Sequence, residues 1–336
     1  MDRKVKWGIL GVASIVRRRF MPALLKSSKS VALAVGSRDL AKAQEFAAEF
    51  NVARPYGSYQ EVIDDPEVEV VYIPLPNELH AEWTLKAAHG GKHILCEKPM
   101  ALDAQQARRM ADCCKDKGVL LMEGFMYRLN PRTLKIKEII ESGMLGEVRT
   151  VVTQFGFAMD PANATRLSSG KGAGSLIDVG CYCVNISRHV FGETPSWVLA
   201  SQRIHPDLGC DMSTSATLGF SGERTAMVSC SFETAFRSSL EVVGTEAVLR
   251  ADPFFTPPNE GKVSFAVRMR NETEVFETDA VDQFLVETDH IADCVRGRTR
   301  VLLDPHDDAV PNAMTIEAIR LAARSQRRTL VSPPRQ

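Results

Sequence analysis

The sequence predicts an α/β Rossmann domain followed by an α+β domain with a large, mainly antiparallel open sheet. Three observations predict it. Apolar runs and amphipathic helical stretches alternate from residue 5 to residue 124, the rhythm of βαβ units on a parallel sheet. From Glu147 onward, strand-like runs follow one another across turns, as in an antiparallel sheet with one covered face. In the first half, the apolar run His93-Ile94-Leu95-Cys96 ends abruptly in Glu97-Lys98-Pro99. That places a lysine at the carboxyl end of a buried parallel strand, where open α/β sheets bind their ligands. The expected domains are 1–124 for nucleotide and 125–336 for substrate and oligomerisation, with the C-terminal segment packing back near the first.

The first domain opens with a strand over 5–10, then Gly11-Val12-Ala13-Ser14-Ile15-Val16 and a helix to about Lys26. Small residues here let a backbone approach a pyrophosphate at a helix N-terminus. Gly11 fits the first fingerprint position, but Ala13 and Val16 stand where glycines are usual, so a plain strand-to-helix connection is equally compatible. Gly11, Ala13, Ser14 and Ile15 are the cofactor-binding candidates of this turn. The second strand, 31–35, ends in Gly36-Ser37-Arg38-Asp39, with Lys42 one turn on. A hydroxyl and a guanidinium at this point suit a 2′-phosphate better than a bare ribose, so NADP(H) is expected over NAD(H), with Ser37, Arg38 and Lys42 as its contacts.

A helix over 39–50, a short one over 59–64 and a continuous apolar strand over 68–73 follow. The last exits into Pro74-Leu75-Pro76-Asn77-Glu78-Leu79-His80 before a helix to about His89. Pro74, Leu75, Asn77 and His80 are expected along the cofactor cleft, although a lone histidine is as often structural. After Lys98, Pro99 fixes its own φ and disfavours αR for the residue before it, so the chain turns sharply at the strand end. Asp103 is a plausible N-cap for a helix over 103–117. A strand over 119–123 closes the alternation, and Arg128 beyond it either approaches the nicotinamide or makes a hinge ion pair.

The second domain begins with an amphipathic helix over 133–142. Strands are expected over 147–157, 196–204, 211–220, 224–232, 238–243, 246–250, 263–268 and 273–277. Among them a glycine-rich approach, Gly170-Lys171-Gly172-Ala173-Gly174-Ser175, leads a helix to about Phe191 that carries Asp178 and Tyr182 on one face. Buried, these two need partners. They either form a network in the core or face the Lys98 cleft, where an ammonium group favours the phenolate and tunes the phenol for proton transfer. Two tail helices, 283–296 and 308–324, flank an extended 298–303, and 332–336 should be loose.

Lys plus Arg is 41 against Asp plus Glu 42, which leaves no electrostatic footprint for nucleic acid or an anionic membrane. Eight cysteines without a C-x-x-C pair argue for reduced thiols rather than disulfides or zinc, and no metal is expected. No apolar run is long enough to span a bilayer and no leader pattern opens the chain, so a cytoplasmic protein acting on a small molecule is expected.

The motifs W-G-I-L-G (7–11), S-R-D-L (37–40), I-P-L-P-N-x-L-H ending at His80, C-E-K-P-M (96–100) and G-A-G-S-L-I-D-V-G-C-Y (172–182) are together similar to the glucose-fructose oxidoreductase, inositol dehydrogenase and rhizopine-catabolism protein family. The resemblance covers nearly the whole chain. It is nearest the branch of dimeric dihydrodiol dehydrogenase, NADP-linked xylose dehydrogenase and deoxysugar ketoreductases, which carries tyrosine where inositol dehydrogenases have histidine. It implies a cis peptide at Pro99, an open sheet that pairs subunits as a homodimer or homotetramer, and Lys98 next to the nicotinamide ribose and reacting carbon. Glu97 is expected with Lys98 at the cofactor. Arg166 aligns with an arginine near the nicotinamide in many members, though Thr165 replaces the tryptophan that often precedes it. The expected activity is NADP-dependent hydride transfer between nicotinamide and a secondary alcohol or ketone of a sugar, keto-sugar or cyclic diol, with Lys98, Tyr182 and Asp178 catalytic. A cofactor-retaining lyase or glycosidase, or a non-catalytic sugar- or nucleotide-sensing regulator, are the rival readings.

Overall fold

The computed structural model describes residues 3–160, 167 and 172–332. The chain divides into two compact units, Met1–Met126 with Asp282–Val310, and Tyr127–Val281 with Pro311–Gln336. The expected boundary near 124 therefore falls at 126. Asp282–Val310, part of the C-terminal segment expected to pack near the first domain, is counted within the first unit.

In the first unit the chain runs β1 (Val5–Leu10), α1 (Met21–Lys26), β2 (Ser30–Gly36), α2 (Leu40–Phe50), β3 (Arg54–Tyr56), α3 (Tyr59–Asp64), β4 (Val70–Ile73), α4 (His80–His89), β5 (His93–Glu97), α5 (Ala104–Asp116) and β6 (Leu121–Gly124). The strands are parallel in the order β3-β2-β1-β4-β5-β6. This is the doubly wound order, with its switch point between β1 and β4. β4 is buried at every position, as a strand covered on both faces must be. Trp7, Phe20 and Tyr72 form the aromatic centre, with Phe20 stacked on Tyr72 and edge-on to Trp7. Each such buried ring contributes roughly 1.5–3 kcal/mol. The helices start where hydroxyl or carboxylate caps occur: Asp39, Ser58 and Asp103 each accept a backbone N–H of the first turn.

The second unit holds α6 (Pro131–Glu141), β7 (Val148–Gly156), α7 (Cys181–Phe191), β8 (Trp197–Ile204), β9 (Asp211–Gly219), β10 (Thr225–Ser231), β11 (Arg237–Gly244), β12 (Val248–Ala251), β13 (Lys262–Arg268) and β14 (Thr273–Asp279). Next come α8 (Gln283–Val295), which packs on α1 and β2 of the first unit, and then α9 (Ala309–Ser325) and β15 (Thr329–Leu330). The nine-stranded sheet has the order β14-β13-β12-β11-β7-β10-β9-β8-β15, antiparallel except for the β7–β10 pair. α7 packs on β7 and β10. Leu199 and Met227 are exposed on a sheet surface shared with Gln154, Ser201, Thr217 and Ser229. The 298–303 stretch is irregular rather than a strand, and β3 and β15 are short additions to the expected elements. All eight cysteines are free thiols. No helix among the described residues is long and apolar enough to cross a membrane.

Candidate active site

In the first unit the candidates gather at the carboxyl ends of β1, β2, β4 and β5. Gly11 leaves β1 with φ +108°, and a Cβ there would lie 3.1 Å from Leu75 Cδ2. The positive φ favours glycine, and the absence of a side chain keeps this turn open to close approach. The helix that follows begins with a π-helical turn, Val16–Phe20, a distortion often found at functional sites. Ala13 and Ile15 are half-buried and Ser14 is exposed. At the end of β2, the Ser37 hydroxyl accepts the Asp39 N–H at 3.2 Å, while Arg38 and Lys42 stand exposed beside it. A hydroxyl, a guanidinium and an ammonium here form a donor set suited to a phosphorylated ribose.

Lys98 follows β5, and the Lys98–Pro99 peptide is cis, as the resemblance implies. The surrounding backbone is tied at several points. The Glu97 carboxylate accepts the Tyr72 hydroxyl at 2.6 Å and the Lys98 N–H at 3.3 Å. The Glu123 carboxylate accepts the Met100 N–H at 2.7 Å. His80 is fully buried, with Nδ1 2.9 Å from the Pro99 carbonyl oxygen and Nε2 2.8 Å from that of Leu75. With no exposed surface and both nitrogens at carbonyl oxygens, the His80 ring braces the β4 and β5 turns against each other. Burial pushes its pKa down, more strongly than the two carbonyls raise it. Only an imidazolium could donate to both oxygens, so the neutral ring donates to one. Pro74 and Leu75 are buried in the same turn and Asn77 is half-buried.

One group that sequence reasoning missed stands behind β5. Glu287 of α8 is fully buried, and its pKa is held well above the usual carboxylate range by burial first and by the charge of Glu97 second. Its position on α8 beside Phe284, Thr288 and Ile291 marks it as facing inward, the only signal the sequence carried.

In the second unit, Asp211 fixes the start of the Tyr182 helix. Its Oδ2 accepts the Ser175 hydroxyl at 2.6 Å, the Leu176 N–H at 2.8 Å and the Thr214 hydroxyl at 2.9 Å. Gly174, at φ +104°, is needed because any Cβ would collide with the Asp211 carboxylate. A second π-helical turn, Leu176–Gly180, leads into α7 and carries the half-buried Asp178. Tyr182 is buried among Tyr127, Phe155 and Phe255, with ring centroids 5.8, 5.4 and 5.4 Å away. Phe255 is held by its neighbour's anchor: Arg132 donates to the Pro253 and Phe254 carbonyls at 2.7 and 2.8 Å. Arg128 is buried and donates to Asn185 Oδ1 at 3.1 Å within this unit. Arg166 lies outside the described residues.

Two family descriptions match this arrangement. The model of an oxidoreductase family with an NAD-binding Rossmann fold matches residues 5–125, and that of the family's C-terminal domain matches residues 133–250. The chain belongs to the Gfo/Idh/MocA oxidoreductase family. Within that family it is 37% identical over 316 residues to D-xylose 1-dehydrogenase (NADP(+)) 2 of Haloferax volcanii, covering 93% of this chain and 95% of the relative. It is 31% identical to trans-1,2-dihydrobenzene-1,2-diol dehydrogenase of Mus musculus over 87% of this chain and 88% of that one. Among solved structures, a 3-ketoreductase from Actinomadura kijaniata in complex with NADP and TDP-benzene superposes with a TM-score of 0.89 at 28% identity, covering 95% of this chain and 98% of its own.

Proposed function

We propose that this Gfo/Idh/MocA protein is an NADP(H)-dependent oxidoreductase that moves a hydride between the nicotinamide and a secondary alcohol or ketone of a sugar, keto-sugar or cyclic diol. The observation that carries the reading is Lys98 at the end of a parallel strand, its surrounding backbone held by the Glu97, Glu123 and His80 contacts. The relatives support it, since they are named as dehydrogenases or reductases of a sugar, a cyclic diol and a keto-sugar. The Actinomadura ketoreductase has also been solved with a lysine-to-alanine and with a tyrosine-to-phenylalanine substitution. Its two substituted positions are separated by the same number of residues as Lys98 and Tyr182.

When bound, the nicotinamide supplies the hydride chemistry. Gly11, Ala13, Ser14 and Ile15 would admit the pyrophosphate, and Ser37, Arg38 and Lys42 the 2′-phosphate. Tyr182 gives or takes the proton of the substrate oxygen, and Lys98 supplies the positive charge that favours an anionic oxygen in that step. Asp178 orients the substrate or the phenol. Subunit pairing through the nine-stranded sheet, at the surface bearing Leu199 and Met227, is part of the same proposal.

The test is NADPH turnover over a panel of keto-sugars, aldoses and cyclic diols with wild type, Lys98→Met and Tyr182→Phe. Each variant should lose about 100-fold or more in kcat/KM on the best substrate. Wild-type kcat/KM in both variants refutes the assignment.

A further inference from the structure

The reading above leaves unused a group of buried polar and cationic side chains alongside Tyr182. Asn185, one turn further along α7, is fully buried, and its Oδ1 accepts two donors, the Tyr127 hydroxyl at 2.5 Å and Arg128 Nη1 at 3.1 Å. Tyr127 is itself fully buried and edge-on to Phe254 and Phe255. The ring that packs on Tyr182 is thus tied by its hydroxyl to the same oxygen that holds the Arg128 guanidinium. The positive field at this end of α7 has a second witness in His189, one turn beyond Asn185. Burial pushes its pKa down to about 2, with Arg128, Lys137 and Arg188 lowering it further. Of these causes the three cations favour a nearby anion, whereas burial disfavours any charge, and the cations act strongly where water is excluded.

We propose that Tyr127, Asn185 and Arg128 are positioning residues for the Tyr182 phenol: the Tyr127 ring fixes its orientation, and the buried guanidinium biases it toward the phenolate. The inference deepens the proposed function and rests on Tyr182 being its proton-transfer group. The other charged or titratable groups near this part of α7 are few among the described residues. Asp178 on the same helix opposes the effect, and Arg188 adds to it. α6 contributes Arg132, committed to the Pro253 and Phe254 carbonyls, and Lys137, which donates to the His189 carbonyl at 3.2 Å. Cys181 and Cys183 are buried, and the Cys183 thiol is pushed up to about 12, so it stays neutral. β7 and β10 present Phe155, Thr153 and Cys230, and α9 presents Asn312, which donates to the Cys181 carbonyl at 3.4 Å.

Tyrosinate absorbance titration of the whole protein reads this without a substrate. Subtracting the curve of Tyr182→Phe from that of wild type isolates the Tyr182 step. The same subtraction in an Arg128→Met background should place the step about one pH unit higher, or beyond the range in which circular dichroism shows a folded protein. Arg128→Lys, which keeps the charge, should leave it within about 0.3 unit of wild type. Asn185→Leu, which cuts the link, should raise it and serves where Arg128→Met does not fold. A Tyr182 step at the same pH in Arg128→Met or Asn185→Leu as in wild type overturns the inference. If the step moves as expected but Tyr182→Phe keeps wild-type turnover, the electrostatic effect stands and the catalytic reading of Tyr182 falls.

Discussion

Replacing Glu287 with glutamine should stabilise the protein at neutral pH and leave it unchanged near pH 4.5. The folded carboxyl holds its proton to a higher pH than its ordinary value of 4.5. Its contribution is therefore neutral below the unfolded pKa and becomes a growing penalty as pH rises through it, about 1.4 kcal/mol per pH unit until the folded pKa is passed. Full burial leaves little solvent screening to reduce this. Glutamine keeps the shape and needs no proton. Allowing for local relaxation, we expect a gain of about 1–3 kcal/mol at pH 7, seen as an increase of roughly 2–8 °C in the Tm of the first unit's transition. Scanning calorimetry of wild type and Glu287→Gln at pH 4.5, 6, 7 and 8 checks this. An unchanged or lower Tm at pH 7, or a gain of equal size at all four pH values, would show that Glu287 is not a neutral buried acid.

Two further outcomes are expected. Arg38→Ser removes a charged donor at the end of β2, so the KM for NADPH should rise about tenfold while that for NADH stays within about twofold, measured on whichever substrate the panel identifies. Leu199→Glu combined with Met227→Glu places two charges on the exposed sheet surface, and sedimentation velocity should report a smaller particle than wild type; an unchanged size would move the pairing surface elsewhere.

The readable parts of the chain were those where one local rule decides the outcome. The strand Val70–Ile73 is apolar throughout because both its faces are covered, and Asp103 caps a helix because its carboxylate reaches a backbone N–H within three residues. The Glu-Lys-Pro turn and the Asp178–Tyr182 helix were visible in the same way, as breaks in an apolar run. What could not be read depends on partners far along the chain. His80 looks like any histidine in a first helical turn until the carbonyls of Leu75 and Pro99 close on its two nitrogens. The bond from Arg128 to Asn185 is equally illegible, because its acceptor lies 57 residues away. Both π-helical turns were hidden for another reason: each spans only five residues, too few to set an apolar spacing of its own.

The return of Asp282–Val310 to the first unit makes the nucleotide-binding part of this protein discontinuous. Until the ribosome has delivered α8, α1 and β2 lack the helix that packs on them from the C-terminal part of the chain, Lys29 lacks Asp293 and Ser27 lacks Asp289. A fragment ending at Met126 would contain every strand of the Rossmann sheet and still lack one of the helices that pack around it. Expressed alone it should behave as a sticky, partly folded intermediate, and a chaperone would meet that same species during each round of synthesis.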